Sequence, residues 1–155
     1  MQIFVGVTIE LPKVFVIAHD GHIYVFDKER KLQKWMNIKV PRAFSCHAQG
    51  GRLYCACSDG IIRVFSTDTL QHLLSLSKPP PLGSTNLLAG NGRIKIQQNK
   101  TTKFADVIAC TIDHLNNRAI ALYSDHMLFI WDVGALKSVT VLRSMYSHSG
   151  PIHDI

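Results

Sequence analysis

The strongest constraint on this chain is a nine-residue pattern that occurs three times. Its copies are His-Asp-Gly-His-Ile-Tyr-Val-Phe-Asp at 19–27, Ser-Asp-Gly-Ile-Ile-Arg-Val-Phe-Ser at 58–66 and Ser-Asp-His-Met-Leu-Phe-Ile-Trp-Asp at 124–132. Each copy places an Asp, two alternating aliphatic residues and an aromatic residue at the same offsets. An Asp in a tight turn followed by alternating residues is typical of a strand–turn–strand unit. A chain that repeats one such unit builds an array, which constrains both its fold and its function.

The spacing of the copies predicts four-stranded blades. The separation of Asp20 and Asp59 along the sequence is close to the roughly 40 to 45 residues of one propeller repeat. The interval from Asp59 to Asp125 fits one such period plus an insertion. The second unit is predicted to have strands at 43–48, 52–57, 61–66 and 70–76, and the third at 106–112, 118–123, 127–131 and 137–143. The first unit has strands at 14–18, 22–26 and 32–36, with 3–8 as a candidate fourth, so the pattern leaves its completeness open.

These strands divide the chain into five segments. They are a first blade, complete or not, at 1–40, a second blade at 41–78, a loop insertion at 79–103, a third blade at 104–145 and the start of a further blade at 146–155. The insertion is predicted as a loop because it contains a run of three prolines from Pro79 and a Gly90-Asn91-Gly92 turn, which break regular elements.

Composition favours an ordinary folded protein, with 46% hydrophobic and 18% charged residues. No apolar run approaches the roughly 18 residues that cross a bilayer, so no membrane insertion is expected. The four cysteines, Cys46, Cys55, Cys57 and Cys110, fall inside predicted strands. That placement favours reduced thiols and a cytoplasmic protein without disulfides.

The net charge of +6 leaves one alternative open. Basic residues cluster between Lys28 and Arg42, which is compatible with a module that binds RNA or an acidic lipid surface. These residues are not interleaved with aromatic residues that would stack on bases. A solvated basic edge is therefore the preferred interpretation, and we do not expect nucleic acid as a partner.

Candidate chemical sites are weak. Cys55 and Cys57 lie two apart on a strand and point to one face, but a zinc site needs two further converging ligands. His148 with Asp154, or His47 with Asp59, lacks a nucleophile or second acid at a telling spacing. The sequence therefore predicts no enzyme, with no catalytic residues, metal, cofactor or small-molecule substrate.

The turn and aromatic positions resemble those of WD-repeat β-propellers, whose four-stranded blades pack around a channel. Further short segments resemble sequences of the family of mitogen-activated protein kinase-binding protein 1 and WD-repeat protein 62. They include 55–60, 76–79, 123–126 and 130–133. The predicted fold is therefore all-β: an incomplete WD-repeat β-propeller with about three blades of four antiparallel strands.

The resemblance also implies a function. It implies a non-catalytic cytoplasmic scaffold in Jun N-terminal kinase signalling, associated with spindle poles or centrosomes, whose kinase-docking segments lie mainly in a tail outside this chain. Expected partners are signalling or spindle-pole proteins and the neighbouring blades of the full-length chain.

Two sets of site residues follow. The structural WD-repeat set is Asp20, Phe26, Asp59, Gly60, Phe65, Asp125, Trp131, Asp132 and His148. The candidate partner-binding loop residues are Lys28, Arg30, Lys31, Asp68, Arg93 and Lys95. In the family, a turn Asp, a strand Ser or Thr, a loop His and the Trp form a hydrogen-bonded set. Here Tyr123 and Cys57 replace the Ser or Thr, and Phe26 and Phe65 replace the Trp, so these blades are expected to depend on packing.

Overall fold

The computed structural model describes residues 3–79 and 104–134, together with the backbone of 140–146. These ranges contain only strands and turns, so no helix in them is long and apolar enough to cross a membrane. The strands are β1 (Phe4–Glu10), β2 (Lys13–Ala18), β3 (His22–Phe26), β4 (Leu32–Asn37), β5 (Ala43–Gln49), β6 (Arg52–Cys57), β7 (Ile62–Ser66), β8 (His72–Ser75), β9 (Val107–Asp113), β10 (Arg118–Tyr123), β11 (Met127–Asp132) and β12 (Thr140–Tyr146).

Three antiparallel sheets of four strands follow one another along the chain. Blade 1 is β1–β4, blade 2 is β5–β8 and blade 3 is β9–β12, and within each sheet the strands lie in chain order. Blade 1 is complete, because Phe4–Glu10 pairs along the whole of β2. The candidate fourth strand at 3–8 is thus present, as Phe4–Glu10.

The largest difference between predicted and observed strand boundaries is in blade 3. The last strand of blade 3 is Thr140–Tyr146, three residues later than predicted at each end. Tyr146 therefore belongs to blade 3, and not to a further blade. The rest of the predicted further blade, 147–155, and nearly all of the insertion, 80–103, lie outside the described residues.

A backbone irregularity recurs in all three blades. One residue near the start of the innermost strand has no partner in the next strand, and it is Val5, Phe44 or Ile108. A second unpaired residue lies in the outermost strand, at Gln33, Leu73 or Leu142. Such bulges bend a strand and increase its twist. The repeat is therefore present in the backbone even where the side chains differ.

Blade 2 is covered on both faces. Strand β1 packs against β5, and β5 packs against β9, so the first strands of the blades lie side by side. Side chains alternate across a strand: Leu53 and Cys55 point to blade 1, whereas Tyr54 and Ala56 point to blade 3. We call the resulting cores the first interblade layer, between blades 1 and 2, and the second interblade layer, between blades 2 and 3.

Close approach of the inner strands requires a glycine at one point. A Cβ on Gly6 would lie 2.9 Å from the backbone nitrogen of Cys46 and 3.0 Å from Cγ2 of Ile17. The backbone of blade 2 occupies the space that a side chain would need, so Gly6 sets how tightly blade 1 packs against blade 2.

Candidate functional site

The turn between the second and third strands is built the same way in each blade. The turn Asp accepts a hydrogen bond at Oδ1 from the backbone N–H two residues later: Asp20 from His22 at 3.2 Å, Asp59 from Ile61 at 3.3 Å and Asp125 from Met127 at 3.2 Å. The residue between them has a left-handed backbone, with φ of 82° at Gly21, 74° at Gly60 and 69° at His126. The three Asp residues therefore stabilise turns, as an Asx turn does.

The residue before each turn Asp ties the turn to the innermost strand. The hydroxyl of Ser58 accepts a hydrogen bond from the N–H of Arg42 at 3.2 Å, and that of Ser124 accepts one from the N–H of Asp106 at 3.0 Å. His19 holds this position in blade 1, and its Nδ1 lies 3.1 Å from the carbonyl oxygen of Ala43 in blade 2. The Ser-Asp pairs at 58–59 and 124–125 were the available sequence signal for this role.

The residue after each aromatic position also fixes a turn. Its side-chain oxygen accepts from the N–H two residues later: Asp27 from Glu29 at 2.9 Å, Ser66 from Asp68 at 3.2 Å and Asp132 from Gly134 at 2.9 Å. Asp132 of the predicted set thus has counterparts in the other two blades. Ser66 performs the task with a hydroxyl.

Trp131 bonds to the segment that follows the outermost strand of blade 2. Its Nε1–H donates to the carbonyl oxygen of Ser77 at 3.3 Å and lies 3.2 Å from the Ser77 hydroxyl. The indole is fully buried in the second interblade layer, with Phe129 and Tyr123 beside it. Sequence reasoning missed Ser77, and the other predicted member, His148, lies outside the described residues.

The two Phe residues at the Trp position differ from each other. Phe65 is buried in the first interblade layer, with its ring against His72 at 5.6 Å. Phe26 is only half-buried and lies on the side of blade 1 that faces away from blade 2. Packing therefore does replace the indole bond in blade 2.

Asp59 carries an additional ion pair that the sequence did not suggest. Both guanidinium nitrogens of Arg63 bind its carboxylate, with Nη1 at 2.9 Å from Oδ1. Burial raises the pKa of Asp59, but the hydrogen bonds and charge of Arg63 outweigh it, so that pKa lies below the ordinary value of 3.8. The carboxylate is therefore committed to its own turn and to Arg63, and is not free to act as the orienting partner of His47.

The four cysteine thiols are buried. Burial raises the pKa of Cys46 and of Cys110 to about 12 and that of Cys57 to about 11. A thiol must lose its proton to attack a substrate or bind a metal. Among the described residues, no group of three or more His, Cys, Asp or Glu side chains could hold a metal ion.

The candidate partner-binding residues have different surroundings. Asp68 joins two blades, because its carboxylate pairs with Lys13 of blade 1 and its carbonyl oxygen accepts from Nζ of Lys34 at 2.6 Å. Lys28 and Arg30 lie exposed in the turn between β3 and β4, where Lys31 pairs with Glu29 at 3.2 Å. Arg93 and Lys95 lie outside the described residues.

The basic residues do not form one continuous edge. Lys28, Arg30 and Lys31 precede β4 and Lys39 and Arg42 follow it. Lys34 lies within β4, but its Nζ donates to the carbonyl oxygen of Asp68 in blade 2. The Arg42 guanidinium lies 5.9 Å from the ring of Phe44 and 3.8 Å from the carboxylate of Asp106. This weakens the case for a basic surface that tracks a phosphate backbone.

Blade 1 has one face that no described residue covers. Val7, Ile9 and Trp35 on that face are 62%, 61% and 62% exposed. The ring of His22 stacks on Tyr24 at 6.2 Å and lies 5.9 Å from Trp35. We call this surface, formed by Phe4, Val7, Ile9, Val14, Val16, Tyr24, Phe26 and Trp35, the outer face of blade 1.

Comparisons with known proteins agree with this architecture. The chain is 28% identical to WD repeat-containing protein 62 of Mus musculus over 141 residues, which cover 91% of this chain and 9% of that protein. It is 26% identical to mitogen-activated protein kinase-binding protein 1 of Homo sapiens over 147 residues, which cover 91% and 10%. The chain thus spans about a tenth of the length of these curated relatives. No family model matches it.

Solved structures show the same fold. The computationally designed Ika4 protein superposes with a TM-score of 0.69 at 16% identity over 97% of this chain and 77% of that one. The designed Ika8 protein gives the same TM-score over 97% and 39%. The described residues therefore form three four-stranded blades of an all-β incomplete propeller, and the chain is similar over 91% of its length to WD repeat-containing protein 62 and mitogen-activated protein kinase-binding protein 1.

Proposed function

We propose that this chain is a non-catalytic segment of a scaffold for mitogen-activated protein kinase signalling, of the Jun N-terminal kinase class, acting in the cytoplasm and at spindle poles. Its similarity to WD-repeat proteins supports the general role of binding other proteins. The kinase part of the proposal rests on the name of one relative, mitogen-activated protein kinase-binding protein 1.

The observation that carries the scaffold role is where the polar side chains are used. The three turn Asp residues, Arg63 and the Trp131 indole all bond within or between blades. The four thiols are buried with raised pKa values. Among the described residues, the polar side chains left for a partner lie in exposed turns such as that between β3 and β4, and binding residues are commonly found on such loops.

The turn between β3 and β4 is the proposed contact. Asp27 fixes its backbone by accepting hydrogen bonds from the N–H groups of Glu29 and Lys31, both at 2.9 Å. Lys28 and Arg30 project from this fixed turn, and Arg30 has a left-handed φ of 63°. A rigid loop that presents two cations suits an acidic protein segment, since little entropy is lost on binding.

The test is proximity labelling in dividing cells with the tagged chain. A Lys28→Glu/Arg30→Glu variant is compared with a Lys39→Glu control, whose cation lies at the other end of blade 1. The proposal predicts enrichment of Jun N-terminal kinase pathway and spindle-pole proteins, lost in the double variant and kept in the control. Equal labelling by all three forms, or no enrichment of these proteins, would contradict it.

The alternative, a module that binds RNA or acidic lipid, is tested with the purified chain. Binding to single-stranded RNA and to vesicles containing phosphatidylserine is measured with the purified chain at increasing salt. A phosphate-binding module loses affinity steeply as salt rises. We expect no such binding, and its presence together with failed protein labelling would favour the alternative.

A further inference from the structure

The outer face of blade 1 is an apolar surface that no described residue covers. It presents a continuous apolar area that includes three side chains more than 60% exposed, namely Val7, Ile9 and Trp35. Exposed apolar patches of this kind usually mark an interface. Phe4 and Tyr24 add an edge-to-face ring pair with centroids 6.1 Å apart.

The repeat indicates what covers such a face. Counting from the turn Asp, Val14, Val16, Tyr24 and Phe26 of blade 1 correspond to Leu53, Cys55, Arg63 and Phe65 of blade 2 and to Ala119, Ala121, Phe129 and Trp131 of blade 3. In blade 2, Leu53, Cys55 and Phe65 pack against blade 1. In blade 3, all four residues pack against blade 2. The outer face of blade 1 is thus the receiving half of an interblade layer.

Blade 3 carries the complementary half. Ile120, Leu128 and Ile130 lie on the face opposite Trp131 and are half-buried. They correspond to Tyr54, Ile62 and Val64, which are the residues that blade 2 contributes to the second interblade layer. No described residue of another blade packs on them. Within the described residues, both uncovered halves of the same junction therefore lie in one chain.

We propose that a second copy of this chain docks head-to-tail, with the far face of its blade 3 on the outer face of blade 1. The contact continues the two interblade layers already present. Two copies related by a twofold axis form this junction twice and close a ring of six blades, within the roughly 4 to 8 blades of known propellers. The proposed scaffold function does not depend on this contact.

Sedimentation equilibrium of the purified chain tests the proposal. The wild-type chain is expected at twice the chain mass. Val7→Lys places a charge on the outer face of blade 1, and Ile130→Lys places one on the far face of blade 3. Each variant alone is expected to be a monomer, because each ring junction needs both an intact outer face of blade 1 and an intact far face of blade 3.

Mixing the two variants is the decisive step. The intact face of one variant meets the intact face of the other, so the equimolar mixture is expected to recover a dimer with a single junction. Leu115→Lys, at a turn position 81% exposed, is the matched control and stays dimeric. Circular dichroism confirms that each variant is folded, and Leu128→Lys replaces Ile130→Lys if that variant is not.

Three outcomes would overturn the proposal. A monomeric wild-type chain would mean that another partner, such as a blade of a longer polypeptide, covers the outer face. A dimer that survives Ile130→Lys but not Val7→Lys would mean that two outer faces meet each other. Polymers that grow with concentration would mean that the junction does not close.

Discussion

The two interblade layers lie between blades of the same backbone design, but they differ in their buried side chains and in their polar cross-links. The first layer is mostly aliphatic, with Ile17, Ile23 and Leu53 among its fully buried side chains, and has polar links at its edge. The second contains an aromatic cluster, in which the Trp131 ring is tilted by 39° against the rings of both Tyr123 and Phe129. The same bulges and Asx turns thus recur beside two layers whose side chains differ.

The two layers also use different cross-links. Across the first, Glu10 accepts a hydrogen bond from the N–H of Gly51 at 2.8 Å, and Lys13 pairs with Asp68. Across the second, Arg52 donates to the carbonyl oxygen of Val133 at 3.1 Å, and the Trp131 indole bonds to Ser77. Substitutions in the aromatic layer should therefore have the larger effects, and those at the ionic edge the smaller.

The largest expected effect is that of Trp131→Ala. It removes the largest fully buried side chain and the indole bond to Ser77. Truncating a buried Trp costs about 3 to 5 kcal/mol. Urea denaturation followed by circular dichroism measures the loss, with Leu115→Ala at an exposed turn as the control. A loss no larger than that of the control would show that the second layer does not depend on its aromatic residues.

The next comparison uses three glycines. Gly60→Ala combines a left-handed φ of 74° with a Cβ 2.9 Å from the carbonyl oxygen of Ala105. Gly6→Ala meets close contacts with the Cys46 nitrogen and the Ile17 side chain without an unfavourable φ, and Gly50→Ala, with nothing within 4 Å, meets only the unfavourable φ. We expect a loss of about 2 to 4 kcal/mol for Gly60→Ala and about 1 to 2 kcal/mol for Gly50→Ala.

Gly6→Ala tests the first layer in the same experiment. Its cost, about 1 to 3 kcal/mol from overpacking alone, measures how firmly blade 1 is held against blade 2. A loss near zero would mean that blade 1 can move away from β5, so the first layer would be the softer of the two.

Much of the frame was readable from the sequence, for a physical reason. Asp20, Asp59 and Asp125 act through hydrogen bonds within a few residues, and such local interactions leave a fixed spacing. The alternation in 52–57 also predicts a strand. That both faces of this strand are buried follows only when a neighbouring blade is assumed on each side.

The partners that lie far apart along the chain were not readable. Ser77 and Lys13 have no local motif, and they become important only when the blades place them beside Trp131 and Asp68. The bulged residues Val5, Phe44 and Ile108 share no side-chain type, because a bulge is a property of strand pairing.

A smaller effect is expected for Asp59→Asn. The folded-state pKa of Asp59 lies below 3.8, so its ion pair stabilises the protein above that pH and the contribution is lost as pH falls through the folded value. The variant should lose about 0.5 to 1.5 kcal/mol near neutral pH, the scale of a typical hydrogen bond, because the Asn oxygen still accepts from the N–H of Ile61. Denaturation from neutral to acid pH measures the free energy of unfolding against pH for the wild type and for Asp59→Asn. The two curves should converge below the folded-state pKa of Asp59. Parallel curves would mean that Arg63 contributes nothing through charge.

The smallest effect is expected at the ionic edge of the first layer. Asp68→Ala removes a carboxylate that is 80% exposed and pairs with Lys13 across the two blades. Exposed pairs contribute little and are screened by salt. The urea midpoint should fall slightly at low salt and match wild type at high salt, since the Lys34 bond to the Asp68 carbonyl oxygen remains. Glu29→Ala, which breaks a pair within one turn, is the matched control. If the two variants behave alike, the Lys13–Asp68 pair does not couple the blades.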